Sequence, residues 1–270
     1  MKKLIIIIAA CISTCSCSIL GGIAWNPQGL ASAAGKAMTA ASISDEMVVE
    51  LCRESIVQLD AQSTVENGPY TARLLRVMKG VDDIDGMPVN YKVYLTNDIN
   101  AFAAGDGSIR VYSGLMDVMD DEELTAILGH ELGHVHNQDT KKSIKHAYWA
   151  SAARDVVASA GSYGALAAYL LGDVGEALVS AQYSQRFEYR ADEHGCDFAV
   201  SRGMSPYSMY NALNKLLQIS GEGDTSIIAH MFADHPKTEK RMEKMQKRAQ
   251  KYEAKGAKET RDSRESISGQ

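Results

Sequence analysis

The chain has 270 residues, 45% of them hydrophobic, which is enough to bury a core without disulfide or metal staples. Lys and Arg number 28 against 34 Asp and Glu, a formal net charge of −6. That balance disfavours nucleic acid as a partner, and only the last third has a basic bias.

The opening, MKKLIIIIAACISTCSCSIL, sets Lys2 and Lys3 before a short apolar run over 4–12, then small residues and cysteines. This is the layout of a secretory signal, and the run is too short to span a bilayer. Cys11, Cys15 and Cys17 suggest a bacterial lipoprotein signal. Cys17, after Ser16 and at the usual depth, is the expected lipidated residue, so residues 1–17 form the signal peptide. An ordinary cleaved signal with incidental cysteines is the alternative. A lipid on Cys17 would hold the protein on a membrane surface while leaving its domain in water.

Residues 18–43 are rich in Gly, Ala and Ser and read as a tether. The folded domain is expected over 44–255. Ser44 caps a helix to about Ala61, with Val48, Leu51, Cys52, Ile56 and Leu59 as its apolar positions. Cys52 and Cys196 either pair in an oxidising compartment or stay as buried thiols. A second helix, roughly 69–79, ends at Gly80. Val89, Tyr91, Val93 and Leu95 alternate in a β-rich run, and Gly105-Asp106-Gly107 turns a hairpin. Asp120 with Glu123 three residues on forms a capping box, opening a helix to about Asn137. The apolar stretch 147–181 is interrupted by Arg154, Asp155, Asp173 and Glu176, so it reads as helices in water rather than a membrane hairpin. Further helices follow over about 175–201 and 206–219, then a charged one over about 238–255. The tail 256–270 has few apolar residues and is expected to be disordered.

The capped helix carries HELGH, residues 130–134. On a helix, i and i+4 share a face, so His130 and His134 can grip one zinc ion. Glu131, beside the first ligand, can hold a water there and take its proton. Chance produces such a motif in about one comparable chain in a hundred. His136 is out of ligand register. No third histidine follows at the HExxHxxGxxH spacing, since position 140 is Thr. The later stretch QRFEYRADEHG offers Glu188 as a third ligand. Asp192, four residues on, can accept the free N–H of a ligand histidine and fix its tautomer. His194 lies on another face.

HExxH followed by ExxAD, here HELGH and EYRAD, resembles the peptidase family that includes the heat-shock protease HtpX and the CAAX prenyl protease. The stretches PVNYKVYLTNDINAFAAGDGSIRVYSGLMDVM, ILGHELGHV, YSQRFEYRAD and FADHP resemble its soluble periplasmic lipoprotein branch, such as LoiP. The resemblance covers about 45–250. It implies zinc ligands at His130, His134 and Glu188, Glu131 as general base, a functional His235 before Pro236, and Arg241 six residues later. In the family that histidine reaches the active site, stabilising the oxyanion or filling the open zinc position in a closed resting state. It also implies an edge strand beside the cleft that pairs with extended substrate, here Asn100, Ala101, Phe102, Ala103 and Ala104. The chain lacks the membrane-spanning helices of HtpX.

The expected fold is α+β: a mainly helical, zincin-like (gluzincin) domain with a small sheet or hairpin beside the metal helix. The expected function is a zinc endopeptidase, one Zn2+ per chain, acting on unfolded or misassembled envelope proteins. It would face the periplasm from a lipid anchor, with the outer membrane as the expected host; a role in quality control rests on the resemblance alone. A periplasmic chaperone or assembly factor with a zinc site, and a zinc amidase on cell-wall peptides, are the alternatives. Oligomeric state is not legible.

Overall fold

Helix starts follow their caps. The first described element is α1 (Pro27–Ser42), and the second, α2 (Asp45–Gln62), opens at Ser44, whose hydroxyl accepts the Met47 N–H at 3.3 Å. The computed structural model describes residues 26–159, 185–221, 225–235 and 239–268. They fall into two units, one within 1–42 and 145–179, the other within 43–144 and 180–270. In the first unit the Asn26 N–H donates to Ser159 O at 2.6 Å, while Ser32 and Lys36 both reach the Asp155 carboxylate, at 2.6 and 2.9 Å. Much of the stretch read as a tether is therefore helical, with Ala33 and Ala40 buried; an alanine-rich run keeps high helix propensity once packing holds it. Residues 1–25, Cys17 among them, lie outside the described residues.

The second unit holds the sheet. Its elements are β1 (Val65–Glu66), α3 (Pro69–Val77), β2 (Asp83–Ile84), β3 (Met87–Pro88), β4 (Asn90–Tyr94), β5 (Ala101–Ala103) and β6 (Ser108–Tyr112). β2 and β3 form a separate two-stranded ribbon, and the main sheet runs β1-β4-β6-β5. β5 and β6 are the expected antiparallel hairpin, with Phe102 opposite Arg110. β4 and β6 run parallel, a pairing that local alternation does not reveal because it needs a crossover. β5 is an edge strand.

Helix α2 corrects the expected apolar face. Val48, Cys52 and Ile56, spaced by four, are buried, whereas Leu51 and Leu59 are exposed. Cys52 and Cys196 are both buried and free, so they form no disulfide. Asp60 ties this helix to the sheet: Arg110, buried on β6, donates to it from Nε and Nη2 at 2.8 and 3.1 Å. Burial by itself would raise the Asp60 carboxyl, but bonds from Arg110, Lys92 and Tyr94 outweigh it and hold the group well below the usual carboxylate range.

The remaining elements are helical: α4 (Ser113–Val118), α5 (Asp121–His136), α6 (Asp139–Ala158), α7 (Gln185–Ser201), α8 (Ser208–Ile219), a 3-10 turn (Thr225–Ile228), α9 (Ala229–Asp234) and α10 (Glu239–Ser268). The capping box is present: Asp120 accepts the Glu123 N–H at 2.8 Å and Glu123 accepts the Asp120 N–H at 3.0 Å. Every residue of α5 from Glu123 to His134 is buried, which makes it the central helix. The last helix runs to Ser268 rather than stopping near Lys255. Its polar sequence contains no proline and is rich in strong helix formers, with pairs such as Glu243–Lys247 one turn apart at 2.5 Å. Among the described residues no helix is long and apolar enough to cross a membrane. The fold is thus mainly helical α+β and zincin-like.

Candidate metal centre

Two helices meet at residues without side-chain bulk. A methyl on Gly133 of α5 would lie 2.9 Å from the His194 Cβ and 3.1 Å from the Ala191 Cα, and one on Gly195 of α7 would lie 2.4 Å from the Ala126 carbonyl oxygen and 3.0 Å from the His130 backbone nitrogen. Only glycine permits that approach. Glu188, Asp192 and Gly195 share one stripe of α7, so the close contact carries both carboxylates to the imidazoles of α5.

His130 and His134 each have Nδ1 against a carboxylate, Asp192 Oδ1 at 2.9 Å and Asp139 Oδ2 at 3.0 Å. A carboxylate only accepts, so each Nδ1 carries the proton and each Nε2 is left with a lone pair. Those Nε2 atoms are 3.0 Å apart. Two lone pairs face each other there, an arrangement that requires a proton or a cation between them. Glu188 Oε1 stands 3.4 Å from His134 Nε2, and Glu188 Oε2 stands 3.7 Å from His130 Nε2. His235 Nδ1 lies 3.2 Å from His130 Nε2 and 3.3 Å from Glu188 Oε1. All four ligand atoms lie within 4.8 Å of one another, and all four residues are buried. Four-coordinate zinc with bonds of about 2.0–2.1 Å separates its ligand atoms by roughly 3.3 Å. The donor set and its spacing fit such an ion.

Charges behind the imidazoles bias the site. Arg241, buried at the start of α10, gives Nε and Nη2 to Asp192 at 2.7 and 2.6 Å and sets Nη1 2.8 Å from Glu188 Oε2. Its guanidinium is therefore engaged with the two carboxylates of α7. Asp139 also receives Arg190 Nη2 at 3.0 Å. Sequence reasoning missed Asp139 entirely. It follows Gln138, whose φ of 52° reverses the chain after α5 and returns the next side chain to His134. Burial would lower His134, but bonds to Asp139 and Glu188 push it up to about 10. Burial lowers His130 despite its bond to Asp192. Burial would raise Glu188, yet His235, His134 and Arg241 hold it well below its ordinary range.

Glu131 sits beside this cluster, 2% exposed. Its Oε2 accepts the Ala103 N–H at 3.0 Å, while its Oε1 has no hydrogen-bond partner among the described residues and lies 3.5 Å from His235 Nε2. A buried, unpartnered carboxylate oxygen next to four ligand atoms fits a solvent-derived reactant. An apolar cleft of about 490 Å³ opens beside His130 and Glu131, walled by Met209, Leu213, Leu216, Met231 and Phe232. Of the expected edge residues, Asn100 and Ala101 are buried, and Phe102 packs its ring on Tyr94 and Tyr112, with centroids 6.5 and 6.4 Å away. Ala104 packs on the cluster of Ile43, Val48 and Cys52. His136 is outside the centre and bonds Asp85 at 2.6 Å; His194 donates to the Gly129 carbonyl at 2.6 Å.

The sequence carries matching kinship. A family model described as Peptidase family M48 matches residues 70–249. Metalloprotease LoiP of Escherichia coli (strain K12) is 41% identical over 224 residues, covering 82% of this chain and 87% of that protein. Metalloprotease YcaL of the same organism is 36% identical over 216 residues, covering 78% and 84%. A Protease HtpX homolog of Desulfatibacillum aliphaticivorans is 28% identical over 245 residues, covering 81% and 74%.

Proposed function

The chain belongs to peptidase family M48 and is a metalloprotease; from that premise we propose that it is a zinc endopeptidase of the bacterial envelope, acting on misfolded or unassembled proteins. The observation that carries the zinc reading is the buried quartet of His130, His134, Glu188 and His235 with the unpartnered Glu131 Oε1 at its side. His130, His134 and Glu188 would hold one zinc ion. When bound, zinc supplies an acidified water and polarises the scissile carbonyl. Glu131 is the general base: Oε1 takes the proton of the attacking water and returns it to the leaving amine. His235 would complete the donor set at rest. In turnover its imidazole would instead donate to the charge developing on the carbonyl oxygen. Asp192 and Asp139 hold the two ligand imidazoles in their tautomers, and Arg241 balances the charge of Asp192 and Glu188.

Backbone pairing along β5 suits unfolded protein, because it reads an extended chain rather than a particular sequence. The envelope location and a lipid on Cys17 are supported by the layout of residues 1–17 alone.

The test compares the mature protein with its Glu131→Gln variant on an unfolded protein and on peptidoglycan. Cleavage of the protein substrate should fall by about 10²–10⁴-fold in the variant, with bound zinc retained. Equal partner binding and no cleavage by either form would favour a chaperone. Release of muropeptides alone would favour an amidase.

A further inference from the structure

The edge strand has a second tie to the site. Within the hairpin, the Ala104 N–H donates to Ser108 O at 2.8 Å and the Tyr112 N–H donates to Asn100 O at 3.0 Å. Strand groups alternate in direction, so the backbone groups of Ala101 and Ala103 face away from β6, on the unpaired edge of the sheet. Both of their N–H donors are already engaged by side chains. Ala101 donates to Asn100 Oδ1 at 2.9 Å, and Ala103 donates to Glu131 Oε2 at 3.0 Å. Ala101 is wholly buried, so the outward carbonyl of the partly buried Ala103 is what the edge offers a partner.

We propose that the Ala103 N–H is a positioning group for the general base, holding Glu131 rather than binding substrate. A glutamate has three rotatable bonds, and a misaimed base loses rate steeply. The bond to Oε2 leaves Oε1 as the oxygen turned to the reaction, and Oε1 is the atom without a hydrogen-bond partner. One three-residue strand thereby sets both the substrate's backbone register and the aim of the base. Substrate pairing would run through its own N–H onto the Ala103 carbonyl. The proposal rests on the reading of Glu131 as the base.

Replacing Ala103 by its α-hydroxy analogue, lactate, removes this one N–H and keeps the side chain. In the zinc-loaded full chain, kcat should fall about ten- to a hundredfold, the effect of losing one hydrogen bond to a charged group. KM should stay within about twofold, and zinc affinity in a chelator competition should be unchanged. A raised KM with kcat intact would assign the N–H to substrate and overturn the proposal, as would kinetics identical to wild type. Amide exchange decides the matter independently on the natural backbone. Protection at Ala103, but not at Ala104, should drop in Glu131→Ala and persist in Glu131→Gln; unchanged protection at Ala103 in Glu131→Ala overturns the proposal. A Glu131→Ala protein that cleaves at the wild-type rate would instead defeat the reading of Glu131 as base, a separate outcome.

Discussion

His130 and His134 each lean on a carboxylate, but the two carboxylates differ. Asp192 takes two bonds from Arg241, whereas Asp139 takes one from Arg190, whose buried Nε has no hydrogen-bond partner among the described residues. More of the Asp139 charge is left to act on its imidazole, consistent with the rise of His134 to about 10 and the lowering of His130. Below that value a metal ion must displace a proton from His134. Zinc affinity should therefore rise with pH, by roughly tenfold per unit between about pH 6 and about pH 8. Competition against a chelator of known pH dependence measures it; a flat profile would mean that no ligand imidazole holds a proton in the metal-free protein.

At the scale of elements, the crossing of α5 and α7 decides whether there is a site. Glu188 and Asp192 reach the histidines because Gly129, Gly133 and Gly195 let the helices nearly touch. Gly195→Ala would drive a methyl into the Ala126 carbonyl. It should cost about 1–3 kcal/mol in urea unfolding, typical of overpacking, and should weaken zinc binding because the ligands sit on opposite sides of the contact. Gly256→Ala, at an exposed helical position where the added methyl would meet nothing within 4 Å, is the control, expected to be neutral or stabilising by up to about 1 kcal/mol. Equal stability and zinc affinity in both variants would show that the contact tolerates separation.

Across the whole molecule, the ligand residues come from widely spaced parts of the chain. His130 and His235 are 105 residues apart, with Glu188 on a third element. An ion binding only the folded arrangement acts as a cross-link. Zinc at about 100 times its Kd should add about 2.7 kcal/mol of stability. Chelation should lower Tm and zinc alone, not calcium, should restore it. An unchanged Tm on full removal of metal would mean that the protein's own contacts hold the quartet together.

The features legible in the sequence were those whose physics spans one helical turn or one tight turn. The Asp120–Glu123 box, the His130–His134 face, the Glu188–Asp192 spacing and the hairpin around Gly107 depend on residues within a few positions of each other, so spacing alone specifies them. Other features depended on partners far along the chain. The buried stripe of α2 is set by what lies across from Val48 and Cys52, not by the count of apolar residues. The parallel pairing of β4 with β6 and the engagement of Arg241 with Asp192 are contacts that no local period encodes. Asp139 is the instructive case: it is five residues from His134, yet a reversal at Gln138 breaks the helical register that would have pointed to it. Local propensity determined which side chains could serve the site; long-range packing of glycine against glycine, and of buried charge against charge, decided which of them meet.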